Sequence, residues 1–152
     1  MKITSSIKKI CIFTFLIFLA TFGYADETFV SLKKNKVNVR YGPSFESDVK
    51  YVYKKINLPL KQIDKKENFR RIIDLKNNSG WIHISQLKKN TSVIATNDKI
   101  LFKNPTSFAK PIAQIKKGKL LIIQKCEKKW CKINAKKFSG WIKKNNIWGK
   151  VN

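Results

Sequence analysis

From residue 26 onward the apolar residues come in short bursts, with no sustained 3.6-residue rhythm of the kind a long amphipathic helix needs. Segments rich in β-branched and aromatic residues run over 49–53, 58–63, 69–75 and 81–84, each bounded by Asn, Gly, Lys or Pro. That composition and spacing predicts short β-strands. A second set follows at 112–115, 120–125, 130–134 and 141–143, with Gly118 and the 136–140 segment read as turns. In the 81–84 segment, Trp81 and His83 are expected to face opposite Ile82 and Ile84. About five short strands in so small a unit cannot cover an open sheet, so each set is expected to close into a small barrel.

The two sets are copies of one another. Ser79-Gly80-Trp81-Ile82 recurs unchanged as Ser139-Gly140-Trp141-Ile142. Phe69-Arg70-Arg71-Ile72 aligns with Trp130-Cys131-Lys132-Ile133, and Val37 to Pro43 aligns with Ile100 to Pro105. The offset between copies falls from 62 to 61 to 60 along the chain, which places one extra residue in each of two loops of the first copy. Such self-similarity marks a duplicated domain. The boundaries it suggests are 26–90 for the first copy and 91–152 for the second.

The first 25 residues have a different character. Lys2, Lys8 and Lys9 precede a run of 13 mostly apolar residues from Ile10 to Phe22, followed by the small residues Gly23 and Ala25. This is the layout of a secretory signal peptide, with cleavage expected between Ala25 and Asp26. The run is short for a membrane span, which needs roughly 20 residues, although an uncleaved anchor is the rival reading. Cys11 lacks the small residues that precede a lipid-modified cysteine. The protein is therefore expected to be exported, periplasmic or secreted, and not integral to the membrane once processed.

Charge adds a partner question. The whole chain carries 33 basic and 9 acidic residues, a formal net charge of +24. Such a balance invites polyanions. Yet only Arg40, Arg70 and Arg71 are arginine, and the lysines are scattered, so nothing points to a dedicated nucleic-acid reader. Genome-driven lysine enrichment is the blander reading of the same charge.

Catalytic chemistry has little to work with. There is one histidine, His83, and the nine carboxylates are dispersed; Asp64 and Glu67 flank a lysine-rich turn and read as solvated charge. Cys126 and Cys131 are the two cysteines beyond residue 25. They fall on the two arms of one hairpin, where direct opposition at a Cα separation near 5.5 Å suits a disulfide. Free thiols are the alternative, and two thiolates with one histidine are too few for a zinc site. No cofactor or metal is expected.

Val37, Asn38, Val39, Arg40, Gly42 and Pro43, followed by Phe69 and the Gly80-Trp81 pair, resemble the pattern of bacterial SH3-like domains. Val49 to Tyr53 with Leu58-Pro59-Leu60 resembles a proteobacterial subgroup of exported two-repeat proteins. The resemblance implies an all-β protein of two tandem SH3-like barrels, acting as a non-catalytic binding module of the cell envelope. By the same resemblance, Arg40, Tyr41, Tyr51, Tyr53, Trp81 and His83 are candidate ligand-binding residues. Other roles stay open: Trp81 and Trp141 packing the barrels, Tyr51 and Tyr53 lying partly in the core, and Arg40 bracing its loop. The second copy keeps Pro105 but lacks the loop arginine and glycine, so it is expected to serve packing more than binding. Expected partners are peptidoglycan peptide or a cell-wall protein; the alternative is a lysine-driven polyanion binder for lipopolysaccharide, anionic lipid or nucleic acid.

Overall fold

The computed structural model describes residues 27–150 except Lys136. The expected signal peptide and the Ala25–Asp26 cleavage point lie outside the described residues. The first repeat contributes β1 (Phe29–Leu32), β2 (Val37–Arg40), β3 (Val49–Tyr53), β4 (Pro59–Lys66), β5 (Phe69–Ile73), β6 (Ser79–His83) and β7 (Leu87–Lys89). The second contributes β8 (Ser92–Ala95), β9 (Lys99–Phe102), β10 (Pro111–Ile115), β11 (Leu120–Glu127), β12 (Trp130–Ala135), β13 (Phe138–Lys143) and β14 (Ile147–Trp148). The sheet orders are β3-β2-β6-β5-β4-β1-β7 and β10-β9-β13-β12-β11-β8-β14. The architecture is all-β, two SH3-like units in tandem.

Among the described residues each unit thus has seven strands where the hydrophobic pattern suggested about five. The strands that pattern missed are short and pair with partners far along the chain. β7 has one apolar residue followed by two lysines, and β14 has two residues. Ile84, expected to end a strand, instead opens a short 3-10 turn (Ile84–Gln86) and is exposed. The 136–140 segment is less of a turn than expected, because β13 already begins at Phe138.

Alternation along the central strands builds two separate cores. In β2, Val37 and Val39 are buried while Asn38 is exposed. With Leu32, Leu60, Ile72 and Ile82 they form the first core. Val93, Leu101, Leu121, Ile133 and Ile142 anchor the second. β4 and β11 shift register at equivalent places, between Gln62 and Asp64 and between Ile123 and Lys125. A bulge bends a strand and sharpens its twist, which suits a long strand wrapping a small barrel.

Closure depends on the glycine of the repeated Ser-Gly-Trp-Ile string. β2 meets β6 at Arg40 and Trp81, and β9 meets β13 at Phe102 and Trp141. A Cβ on Gly80 would sit 2.4 Å from Val39 Cγ1 and 3.0 Å from the Arg40 carbonyl. One on Gly140 would sit 2.6 Å from the Phe102 carbonyl oxygen. Neither space admits a side chain.

The repeats meet across a buried polar knot. The Ser31 hydroxyl donates to the Asn90 carboxamide oxygen and lies 3.1 Å from the Ser92 hydroxyl, which in turn donates to the Asn57 carbonyl at 2.5 Å. Asn90 Nδ2 donates to the carbonyls of Ser92 and Lys150, both at 2.9 Å. Trp148 donates its indole N–H to the Pro59 carbonyl at 3.1 Å and stacks edge-on against Phe29. Ser31, Asn90 and Ser92 are all buried, so these bonds offset desolvation that would otherwise hold the repeats apart.

Cys126 and Cys131 are directly opposed on β11 and β12 and form a disulfide. Their Cα atoms are 4.0 Å apart, closer than the separation expected above. That distance approaches the roughly 4.5 Å of a non-hydrogen-bonded antiparallel pair rather than the roughly 5.5 Å of a hydrogen-bonded one.

Two stability outcomes follow. Gly140→Ala should lower the urea-unfolding free energy by about 1–3 kcal/mol, because the obstructing atom is backbone and cannot rotate away; an unchanged midpoint would show that β9 and β13 can separate. Cys126→Ala/Cys131→Ala should cost about 2 kcal/mol, the loop-closure entropy of so short a ring. The same denaturation measurement checks it, with no loss of strand signal in circular dichroism.

Candidate functional site

The outer face of β6 carries Ser79, Trp81 and His83, while Gly80 and Ile82 point to the core. Phe69 on β5 is paired with His83. It belongs to no core cluster; the loop between β2 and β3 covers it instead. Phe45 of that loop lies edge-on over Phe69 at 5.2 Å and against the His83 ring at 4.9 Å, and Phe69 and His83 are themselves 5.1 Å apart. Phe45 remains 60% exposed. It forms an apolar shelf that water still reaches.

Arg40 holds this shelf in place. Its guanidinium donates to the carbonyls of Phe45 at 2.9 Å and Ser47 at 2.6 Å and lies 5.7 Å from the centre of the Phe45 ring. The polar role of Arg40 is therefore bracing, one of the two roles open from sequence. Ser44 adds a local turn by accepting from the N–H groups of Glu46 and Ser47, both at 3.2 Å. Beside the shelf lies a cleft of about 240 Å³ lined by Lys36, Asn38, Arg40, Phe45, His83 and Gln86. The His83 Nδ1 accepts from the Ser85 N–H and contacts the Ser85 hydroxyl at 2.8 Å. In the neutral ring the remaining donor is then Nε2–H.

The six residues singled out from sequence do not converge. Arg40 and His83 share the cleft. Tyr41 is exposed and lies under the Lys50 ammonium, 5.4 Å from its ring centre. Tyr51 and Tyr53 pack against the first core from β3. Their hydroxyls are 3.4 Å apart, and Tyr53 donates to Asp74 Oδ2 at 3.1 Å. Asp74 is in turn held by the N–H groups of Lys76 and Asn78, so this constellation braces a turn. Trp81 is half-buried on the outer face, opposite Arg40 and Arg71. Trp141 is buried beneath Lys125, whose ammonium lies 5.4 Å from its ring centre. Neither indole belongs to a core cluster, but the two differ: Trp141 is buried, in keeping with a packing role, whereas Trp81 is half-buried on the outer face, where alternation places it opposite the inward Gly80 and Ile82.

Sequence reasoning missed Phe45 as a site residue. The available signal was an aromatic in an otherwise small and polar loop, Gly42-Pro43-Ser44-Phe45-Glu46-Ser47.

In the second repeat, Trp130 takes the place of Phe69 and packs edge-on with Phe102 at 5.6 Å. Lys143 stands where His83 stands, its ammonium 5.7 Å from the Trp130 ring centre. Lys99 occupies the core position of Val37, and its ammonium donates to the carbonyls of Lys143, at 3.2 Å, and Asn145. Burial lowers the Lys99 pKa below its usual value. Among the described residues, no cluster of three or more His, Cys, Asp or Glu side chains gathers to hold a metal. No helix there is long and apolar enough to cross a membrane.

Two tandem barrels with an aromatic cleft beside a braced loop define a class of small binding domains. Residues 33–89 and 96–149 each match the family model of the bacterial SH3 domain, and the chain belongs to that family. Among solved structures it is similar to NlpC2 and NlpC1 from Trichomonas vaginalis, each at 14% identity and a TM-score of 0.38. Those likenesses cover 84% and 86% of this chain but 49% of each of the others, so the chain spans about half their length. No curated protein matches it.

The tyrosine pair carries a pH signature. Burial raises the Tyr53 pKa well above its usual value, with the hydrogen bond to Tyr51 and the Asp74 carboxylate acting in the same direction. Burial raises Tyr51 as well. Above about pH 10 the unfolded chain releases phenolic protons that the folded chain retains, so stability falls as pH rises through that region. Tyr53→Phe should be less stable at pH 8 by about 1 kcal/mol for the lost hydrogen bond. The deficit should shrink between pH 10 and 11. Urea denaturation across that range checks this, and a constant deficit would mean that the phenol ionises in the fold.

Proposed function

We propose that the protein is a non-catalytic binding protein of the cell envelope whose first repeat recognises a peptide of the cell wall, either a peptidoglycan stem or a segment of a wall protein. The observation that carries this reading is the braced shelf of Phe45 over Phe69 and His83, beside a cleft with Asn38 and Gln86 in its lining. An apolar platform with a few fixed polar groups is what a small-ligand or peptide site requires. Arg40 holds the platform before a ligand arrives, so little ordering entropy remains to be lost on binding. Membership of the bacterial SH3 domain family supports a binding role. The Cys126–Cys131 disulfide supports an oxidising compartment, and the signal-like segment before residue 26 agrees with export.

Cosedimentation with purified peptidoglycan sacculi tests the proposal. Phe45→Ala and His83→Ala should each weaken retention by about tenfold, a typical loss for an aromatic anchor. Phe45→Ala should keep its unfolding midpoint close to that of the unmodified protein, since Phe45 is largely exposed, whereas His83→Ala also loses the cap on the Ile84–Gln86 turn and is compared at a temperature where it is fully folded. Retention that ignores both substitutions, or that vanishes between about 50 and 200 mM salt as bare charge attraction does, would overturn it.

A further inference from the structure

Duplication supplies an internal comparison at each position. Glu67 and Lys128 occupy the same left-handed turn, with φ of 47° and 44°. The Ile84 N–H donates to the Asn68 carbonyl at 2.9 Å, and the Lys144 N–H donates to the Lys129 carbonyl at 2.9 Å. Phe69 pairs with His83 as Trp130 pairs with Lys143. These contacts equate Lys66, Glu67, Asn68, Phe69, His83 and Ile84 with Glu127, Lys128, Lys129, Trp130, Lys143 and Lys144. In the first set one lysine cancels one glutamate and the formal charge is zero; in the second, four lysines against one glutamate leave +3.

The difference is concentrated around one cleft. Lys128, Lys129, Lys143 and Lys144 line a cavity of about 520 Å³ together with Ser107 and Asn145, and Trp130 forms its apolar wall. All four lysines are exposed. Among the described residues the lining holds no carboxylate, and Glu127 is itself paired with Lys125 at 2.6 Å. Four like charges around one indole repel each other, and an anion in the cleft relieves that repulsion. The segment carrying Lys143 and Lys144 is also anchored: the buried Lys99 ammonium bonds the carbonyls on either side of Lys144.

Lys144 lines a second cavity as well, a groove of about 480 Å³ between the repeats walled by Phe29, Trp148 and the disulfide. The groove lining also holds Lys61, Lys150 and one carboxylate, Glu27, which is paired with Lys61 at 2.6 Å, so the lining stays net positive. Two net-basic cavities that share a lysine suit an extended polyanion better than a single ion. Single-stranded nucleic acid relies on open aromatic faces for base stacking. Trp130 is instead engaged by Phe102 at 90° and by the Lys143 ammonium. A concave cleft in the size range of small-ligand sites also fits a chain of sugars better than a flat bilayer.

We propose that the second repeat carries its own binding site for an acidic polysaccharide. Lys128, Lys129, Lys143 and Lys144 take its carboxylate groups, and the chain runs past Lys144 into the groove beside Trp148. The site is independent of the ligand assigned to the first repeat.

Titration calorimetry of the full-length protein with galacturonate oligomers tests it. An octamer should bind more tightly than the single sugar acid by well over tenfold, as a multi-subsite cleft demands. Lys128→Gln/Lys129→Gln/Lys143→Gln/Lys144→Gln should weaken octamer binding by about tenfold or more. The control Lys54→Gln/Lys55→Gln/Lys88→Gln/Lys89→Gln removes as much charge from exposed lysines outside both cavities and should change it by less than about twofold. Equal losses in the two variants would reduce the effect to net charge and overturn the proposal. So would an octamer that binds no better than the monomer, or stronger binding to a single-stranded oligonucleotide of equal charge or to phosphatidylglycerol vesicles. Phe45→Ala should leave octamer binding intact, so a failed wall-peptide reading and a failed polysaccharide site give different results.

Discussion

A crossing of two strands at less than side-chain distance governs the architecture of both repeats. At Gly80 the backbone of β6 runs against Val39 and Arg40, and at Gly140 that of β13 runs against Leu101 and Phe102. Closing a sheet this small brings non-sequential strands together at a corner, and there only glycine avoids a clash. The crossing also sets orientation. With Gly80 and Ile82 turned inward, Trp81 and His83 face outward beside Arg40, and the loop that Arg40 holds falls over Phe69. The repeated Ser-Gly-Trp-Ile string is therefore first a closure device, and the surface chemistry is built around it.

On that shared frame the two copies have diverged in how they use the same corner. In the first, the arginine holds two loop carbonyls, which lets Phe45 stand largely exposed over Phe69 and His83. In the second, Phe102 occupies the Arg40 position and packs on Trp130, and lysines crowd the hairpin tip. A cation is retained at each corner but contributed by a different strand. Lys99 shows how deep the change reaches, since a core valine position now holds an ammonium that fastens the neighbouring segment by its carbonyls.

The repeats are joined by hydrogen bonds among Ser31, Asn57, Asn90 and Ser92 and by the Trp148 contact with Pro59 and Phe29. Polar contacts of this kind are directional, so they fix one relative placement where a greasy patch would tolerate several. That placement forms the inter-repeat groove and brings the disulfide hairpin to its wall.

The sequence by itself determined the duplication and the strand-rich class, and it placed Cys126 and Cys131 on facing arms of one hairpin; that they are bonded is decided by the structure. Each is written in local patterns: alternation with period two, turn residues at intervals, and an identical string at a near-constant offset. β7 and β14 were not legible, because each is defined by pairing with a distant strand rather than by its own composition. Tertiary structure alone decided which aromatics meet. Tyr51 and Tyr53 look like neighbours of Arg40 along the chain, yet they sit over a different turn with Asp74. Phe45 and Phe69 are 24 residues apart and stack. Alternation already set Trp81 against Ile82, but which of the two faces is outward, and the equivalence of His83 with Lys143, emerge only when the barrel closes, since register across strands is set by the whole sheet and not by any one segment.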